Sequence, residues 1–114
     1  MASLYAMYIK EREGKEIVES ENGFATYQIF PTGECYIQDI FVVPEMRKSG
    51  LTAIMQSKIA DIAKTKGCHT LLGSVCMNTP DANRNLKILL NDGWMVHNMV
   101  SDMIYLNKKL EGVI

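Results

Sequence analysis

The 114-residue sequence is short of net charge, cysteine, histidine and long apolar runs, and each shortage excludes a class of function. Twelve Lys and Arg against thirteen Asp and Glu leave a formal charge of −1, so no basic field is present to draw in nucleic acid. Any attraction for a phosphate must be local. Cys35, Cys68 and Cys76 are odd in number and lack CxxC spacing, which fits a reduced, cytoplasmic setting and not a disulfide framework. His69 and His97 stand alone among apolar neighbours, without ligand spacing, so no metal is expected. No stretch approaches a membrane span, and no charged segment leads into a long apolar one. Repeats, low-complexity tracts and linkers are also missing, so residues 1–114 read as one domain.

What is present is an ordinary globular composition, 47% hydrophobic and 22% charged. A chain of 12.8 kDa can bury roughly two thirds of its unfolded surface, enough for one modest core. The eight methionines suit gap-filling in that core.

The pattern along the chain predicts an N-terminal element, three strands, a helix, a strand, a second helix and two last strands. Ser3 can cap a helix ending at Gly14, with Leu4, Met7, Tyr8 and Glu11 on one face. Leu4 to Ile9 also contains β-prone side chains, so a strand is the alternative. Lys15 to Glu21, an Asn22-Gly23 turn and Phe24 to Phe30 predict a hairpin, with positive φ supplied by Asn-Gly. Pro31-Thr32-Gly33 turns the chain into a third strand, Cys35 to Val43. From Ser49 to Lys66 the period becomes helical, with Leu51, Ile54, Met55, Ile59, Ile62 and Ala63 facing inward and Gly67 closing the helix. Thr70 to Met77 reads as a strand parallel to the third, joined by a right-handed crossover. Thr79-Pro80-Asp81 starts a helix to Asn91 that buries Ala82, Leu86, Leu89 and Leu90. Trp94 to His97 and Asp102 to Lys108 complete the set.

One stretch stands apart: Val42-Val43-Pro44-Glu45-Met46-Arg47-Lys48-Ser49-Gly50-Leu51-Thr52-Ala53. A β-branched run stops at proline, two cations follow, and glycine opens an amphipathic helix. Unpaired N–H groups of a first helical turn and the positive end of the helix dipole both favour an anion. Arg47 and Lys48 add formal charge beside it, Gly50 lets a ligand approach the backbone, and Ser49 or Thr52 can donate a hydroxyl hydrogen bond.

These residues resemble the pyrophosphate loop of the GCN5-related N-acetyltransferases, whose pattern is Arg/Gln-x-x-Gly-x-Gly/Ala. Arg47 to Thr52 fits except at its last place, where Thr52 stands for the usual glycine or alanine. Tyr36 to Pro44 is similar to that family's fourth strand, and Asn78 with Leu86 to Trp94 to its last helix and the Gly-Phe after it. The resemblance spans roughly residues 15 to 108. It implies a mixed α/β sheet of about six strands with two main helices and a reduced N-terminal part. It implies acetyl-CoA as co-substrate, with Phe41, Val42 and Val43 against the pantetheine arm. Arg47, Lys48, Ser49, Gly50, Leu51, Thr52 and Ala53 would hold the pyrophosphate, and amides near Val42 would face the oxyanion.

The expected acid and base are replaced. Gln38 occupies the place of the family's glutamate and cannot accept a proton; Leu89 occupies that of its tyrosine. Asp39 is adjacent, but alternation turns it to the opposite face unless a bulge re-aims it. Gln38, Asp39 and Tyr105 are therefore the candidate catalytic residues, with Tyr36 and Cys76 as further substitutes. The expected function is acetyl-CoA-dependent N-acetylation of a small-molecule or protein amine, relying on proximity more than on acid–base assistance. The alternative is an inactive structural or interaction protein on the same frame, for example a phage-encoded virion or assembly component in the host cytoplasm. Neither nucleic acid nor membrane is an expected partner; a homo-oligomer could supply the wall that the short N-terminal part omits.

Overall fold

The computed structural model describes residues 3–110, so the ends of the 1–114 span lie outside the described residues. Ser3 starts α1 (Leu4–Glu13) by accepting a hydrogen bond from the Ala6 N–H at 3.0 Å, and Gly14 ends it in the left-handed region. The helix prevails over the strand alternative. Its expected inner face does not: Leu4, Met7, Tyr8 and Glu11 are exposed, and Ile9 is the residue it buries. Apolar residues surround this helix on all sides, so periodicity alone had no single stripe to select.

β1 (Glu16–Ser20), β2 (Gly23–Ile29) and β3 (Glu34–Val42) form the predicted meander. Ser20 pairs with Gly23, which makes Glu21-Asn22 the hairpin loop in place of Asn22-Gly23. Neither Asn22 nor Gly23 takes positive φ. Gly23 answers a different demand: a Cβ there would lie 2.4 Å from the Phe41 carbonyl oxygen, so only glycine lets the two backbones approach.

A 3₁₀ turn at Pro44–Met46 leads to α2 (Leu51–Thr65), then β4 (Thr70–Cys76), α3 (Ala82–Asn91), β5 (Met95–Val100) and β6 (Met103–Lys109). The sheet order is β1-β2-β3-β4-β6-β5, with β3 and β4 parallel and every other neighbouring pair antiparallel. Most boundaries shift by a residue, and three shifts have a visible cause. The first long helix begins at Leu51, because Lys48 and Gly50 both take left-handed φ and hold Ser49 outside it. The second begins at Ala82, not Pro80, because Asp81 is left-handed and the Thr79 hydroxyl bonds back to the Cys76 carbonyl at 2.7 Å instead of capping forward. The fifth strand runs on to Val100, since its partner β6 supplies a ladder that the sequence around His97 does not announce.

A single core joins one sheet face to α2 and α3. Met55, Ile59 and Ala63 from α2, with Ala82 and Trp94, pack on Ala25, Tyr27, Ile37, Leu71, Ile104 and Leu106. Ile54 and Leu90, expected inside, are exposed. On the opposite face α1 lies near β1 and β2: Tyr5 meets Phe24 edge-on at 5.4 Å, and Phe24 meets Phe41 at 5.7 Å. Among the described residues no helix covers that face over β4, β6 and β5. Among the described residues no helix is long and apolar enough to cross a membrane.

Candidate functional site

β3 and β4 part early. Their pairing runs only from Glu34–Thr70 to Tyr36–Leu72, although β3 continues to Val42 and β4 to Cys76. The result is a wedge with its apex at Tyr36 and Leu72. At about 3.3 Å per residue, Ile37 to Val42 make a wall about 20 Å long. The Val43 N–H donates to the Asn22 carbonyl at 2.9 Å, on the β2 side. Alternation then aims the N–H groups of Val42 and Ile40 into the wedge and keeps those of Phe41 and Val43 out of it. Of the strand residues expected to line a ligand, only alternate ones can offer it a main-chain donor.

A bulge interrupts this wall. Tyr27 pairs with Ile37 and Thr26 with Asp39, leaving Gln38 as the extra, exposed residue. Residues directly opposite share a face, so Asp39 joins Thr26, Gln28 and Tyr36 on the face that carries α1. The bulge thus corrects the expectation that Asp39 would point away. The Thr26 hydroxyl, 1% exposed, donates to Asp39 Oδ2 at 3.0 Å and accepts from the Asp39 N–H at 3.1 Å. Lys15 Nζ lies 3.9 Å from the same carboxylate oxygen. Its hydrogen bond to Glu13 raises the Lys15 pKa above the ordinary value, burial opposes this, and the charges of Glu13 and Asp39 reinforce it.

At the apex the Tyr36 hydroxyl stands 3.0 Å from Ser74 Oγ, bridging the two strands where they separate. Ser74 pairs across β4 and β6 with Tyr105, whose ring centre lies 6.4 Å from that of His97. Tyr105 is therefore one strand removed from the wedge, and half-buried Cys76 is paired with Met103 at the end of β4. Leu89 is partly buried against the core, with no proton to give. His69, expected among apolar neighbours, is exposed, with its ring nitrogens 2.7 Å from Thr70 Oγ1 and 3.2 Å from the Thr32 carbonyl. His97 is exposed on β5.

The basic loop forms the mouth of the wedge. Lys48 at φ 71° and Gly50 at φ 88° alternate with right-handed or extended neighbours, a geometry that gathers N–H groups on one side. Among the described residues, the N–H groups of Lys48, Gly50, Leu51, Thr52 and Ala53 donate to no protein group. Residues 47 to 50 are exposed, and the direction of a Gly50 Cβ meets nothing within 4 Å. Two side chains depart from expectation. Arg47 folds back, with Nε donating to the Val42 carbonyl at 2.9 Å and its guanidinium 5.8 Å from the Phe41 ring centre. The Ser49 hydroxyl is taken by the Met46 carbonyl, which leaves Thr52 as the hydroxyl open to a ligand.

The family resemblance implies two strands that splay around a cofactor arm, and β3 and β4 do part; the position of the apex, the occurrence of the bulge that re-aims Asp39 and the Tyr36–Ser74 contact were not readable from the sequence. Their signal is the register of β3 against its two neighbours, which no local motif encodes.

A family model described as Acetyltransferase (GNAT) family matches residues 4–86. Among curated protein sequences none matches the chain significantly. Solved structures do. The PaiA N-acetyltransferase of Thermoplasma acidophilum, in complex with coenzyme A, is 14% identical with a TM-score of 0.73, over 93% of this chain and 68% of that one. A GNAT family acetyltransferase from Elizabethkingia anophelis with acetyl-CoA bound is 13% identical with a TM-score of 0.72, over 95% and 84%. The ribosomal-protein-S18-alanine N-acetyltransferase of Escherichia coli is 15% identical with a TM-score of 0.71, over 96% and 77%. At these identities the likeness is one of fold.

Proposed function

We propose, from the premise that the chain belongs to the GNAT acetyltransferase family, that it transfers an acetyl group from acetyl-CoA to an amine. The observation that carries this reading is the continuity of the loop donors with the wedge. Five main-chain N–H groups from Lys48 to Ala53 donate to no described protein group at the N-terminus of α2, where a diphosphate gains from both hydrogen bonds and the helix dipole. The wedge begins beside them and is long enough for an extended pantetheine arm. Coenzyme A and acetyl-CoA are held by two of the structural neighbours, which supports the same ligand here.

In this reading Val42 and Ile40 offer N–H groups to the arm and to the carbonyl oxygen as it gains charge. After losing one proton to Asp39, the amine nitrogen attacks the thioester carbon and the carbon–sulfur bond breaks. The departing thiolate takes the Tyr36 proton at the apex, and the second proton of the attacking nitrogen returns through solvent to the Tyr36 oxygen. Ser74, within hydrogen-bond distance of that hydroxyl, holds it in place. Asp39, exposed on the face left open beside the wedge, attracts the cationic amine and takes its proton. Tyr36 and Asp39 then do the work for which Leu89 and Gln38 are chemically unsuited. The acceptor is a small-molecule amine or a protein amine; the uncovered face suits the larger one.

The test is binding first, then turnover. Gly50→Glu places a carboxylate in the open space before the five donors, at a cost of about 1–2 kcal/mol for a side chain at left-handed φ. Calorimetry should show CoA binding by the parent protein and at least a hundredfold loss in the folded variant. Equal affinity in both would remove the loop from the reading. CoA binding without acetylation of any amine, followed by mass spectrometry, would leave a cofactor-binding protein that no longer catalyses.

A further inference from the structure

The margin of the sheet at β1 opens onto a groove beside α1. The two-residue loop Glu21-Asn22 closes on Ser20 and Gly23, and Val18 opposes Ala25. Alternation therefore commits the main-chain groups of Ser20 and Val18 to β2 and turns those of Ile17 and Glu19 outward. β1 stands first in the sheet, and among the described residues these outward N–H and C=O groups meet no protein group. α1 runs back along the same margin: the Ser3 hydroxyl donates to Glu19 Oε1 at 2.9 Å, and Lys10 pairs with Glu16. Between helix and strand lies a groove of about 620 Å³, a volume typical of binding clefts. Ala6, Met7 and Ile17 supply its apolar part, with Met7 59% exposed. Glu11, Glu16 and Glu19 outnumber Lys10 in its walls.

We propose that this groove docks an extended segment of a partner protein, added antiparallel to β1 and carrying two cationic side chains around an apolar one. The outward N–H and C=O groups of Ile17 and Glu19 hold the segment by its main chain. Ile17 opposes Thr26 and so lies on the face that carries α1. The segment's residue opposite Ile17 enters the groove against Ala6 and Met7, and an apolar side chain fits there. Two residues along, about 6.6 Å away, the next side chain on that face meets Glu19. Two residues the other way lies the end of α1 that holds Lys10 and Glu11. Among the described residues Glu11 has no ion-pair partner. The pattern recognised is Lys or Arg, any residue, apolar, any residue, Lys or Arg.

Charge and geometry together select this occupant. Glutamates along a free edge discourage indiscriminate strand addition, and a cationic segment is the one to which the same carboxylates are attractive. A second copy of the chain would bring a second set of these glutamates to the contact. A helix satisfies its own main chain and would leave the groups of Ile17 and Glu19 unpaired. A small cation would use the carboxylates alone. Only an extended chain meets the main-chain groups at their two-residue spacing and fills the apolar part as well.

This inference does not depend on acetyl transfer. The probe is an end-capped peptide, Lys-Thr-Val-Thr-Lys, titrated into the isotopically labelled full chain and followed by NMR. Amide shifts should centre on residues 16–20 and 6–11, saturate at millimolar peptide and weaken as salt is raised. Replacing both peptide lysines by glutamate should abolish the shifts. N-methylating the peptide's valine, whose N–H faces β1, should weaken binding at least tenfold. The double variant Glu11→Lys/Glu19→Lys should lose roughly as much, with circular dichroism verifying the fold. Asp61→Lys, on the exposed side of α2, should bind as the parent does. No shift in residues 16–20 would overturn the proposal, as would equal binding of the glutamate peptide, of the methylated peptide or by the double variant. Exchange of the residue 16–20 amides that slows with protein concentration alone would give the edge to a second copy and overturn it too.

Discussion

In the proposed reaction, Tyr36 is the residue on which proton delivery to the thiolate turns. It is the last β3 residue paired with β4, and its hydroxyl lies 3.0 Å from Ser74 Oγ. Tyr36→Phe keeps the ring and removes the proton, so kcat should fall about 100-fold while the KM for acetyl-CoA stays near the parent value. A variant with unchanged kcat would assign that hydroxyl a structural role alone. The buried thiols make a separate prediction about stability. Cys35 is fully buried, and loss of solvation, with Cys68 nearby, pushes its pKa from 9.0 up to about 12; burial raises Cys68 as well. Above pH 9 the unfolded chain loses these protons while the folded one keeps them, so stability should fall as pH rises from about 9 to about 12. The slope is about 1.4 kcal/mol per pH unit for Cys35. Urea titrations across that range will show it, and Cys35→Ala should flatten the curve. A slope that persists undiminished in the variant would point to another group.

At the scale of elements, the hairpin of β1 and β2 and the strand–helix–strand unit of β3, α2 and β4 were legible because each has a local cause. The 3.6-residue period over Met55, Ile59 and Ala63 buried as expected, and Gly67 closed α2 in the left-handed region. What escaped is everything set by contact between distant elements. Asn22-Gly23 looks like a turn dipeptide, yet Gly23 belongs to a strand because Phe41 presses on it from β3. Gly23→Ala should therefore destabilise the fold by about 1–3 kcal/mol despite alanine's smaller entropic cost, since a backbone carbonyl cannot move aside. Chemical denaturation with an unshifted midpoint would contradict that. The bulge at Gln38 is the same kind of event. Alternation put Asp39 on the wrong face, and only the mismatch between β2 and β3 registers returns it to Tyr36's face. The loop at 47–52 was legible as a basic turn leading into a helix, but not that Arg47 would bend back to the Val42 carbonyl and leave main-chain N–H groups without protein partners.

At the scale of the whole molecule, a six-stranded sheet carries two helices on one face and one short helix on the other. The covered face provides the stability, through a single core shared by α2, α3 and the strands. Asp39 and Tyr36 lie on the face with the lesser helical cover, so the candidate site opens on that side. Helix α2 links the two: its buried side joins the core, and its first turn presents the anion donors. The proposed transfer requires CoA to enter at that turn and run toward the apex. Titrating the isotopically labelled protein with CoA and following backbone amides by NMR tests this most directly. The account predicts the largest shifts at Lys48 and Gly50 to Ala53, a second group at Ile40 and Val42, and smaller ones on α1 and β5. Saturation with no shift in those two groups, or shifts centred elsewhere in the sheet, would contradict it.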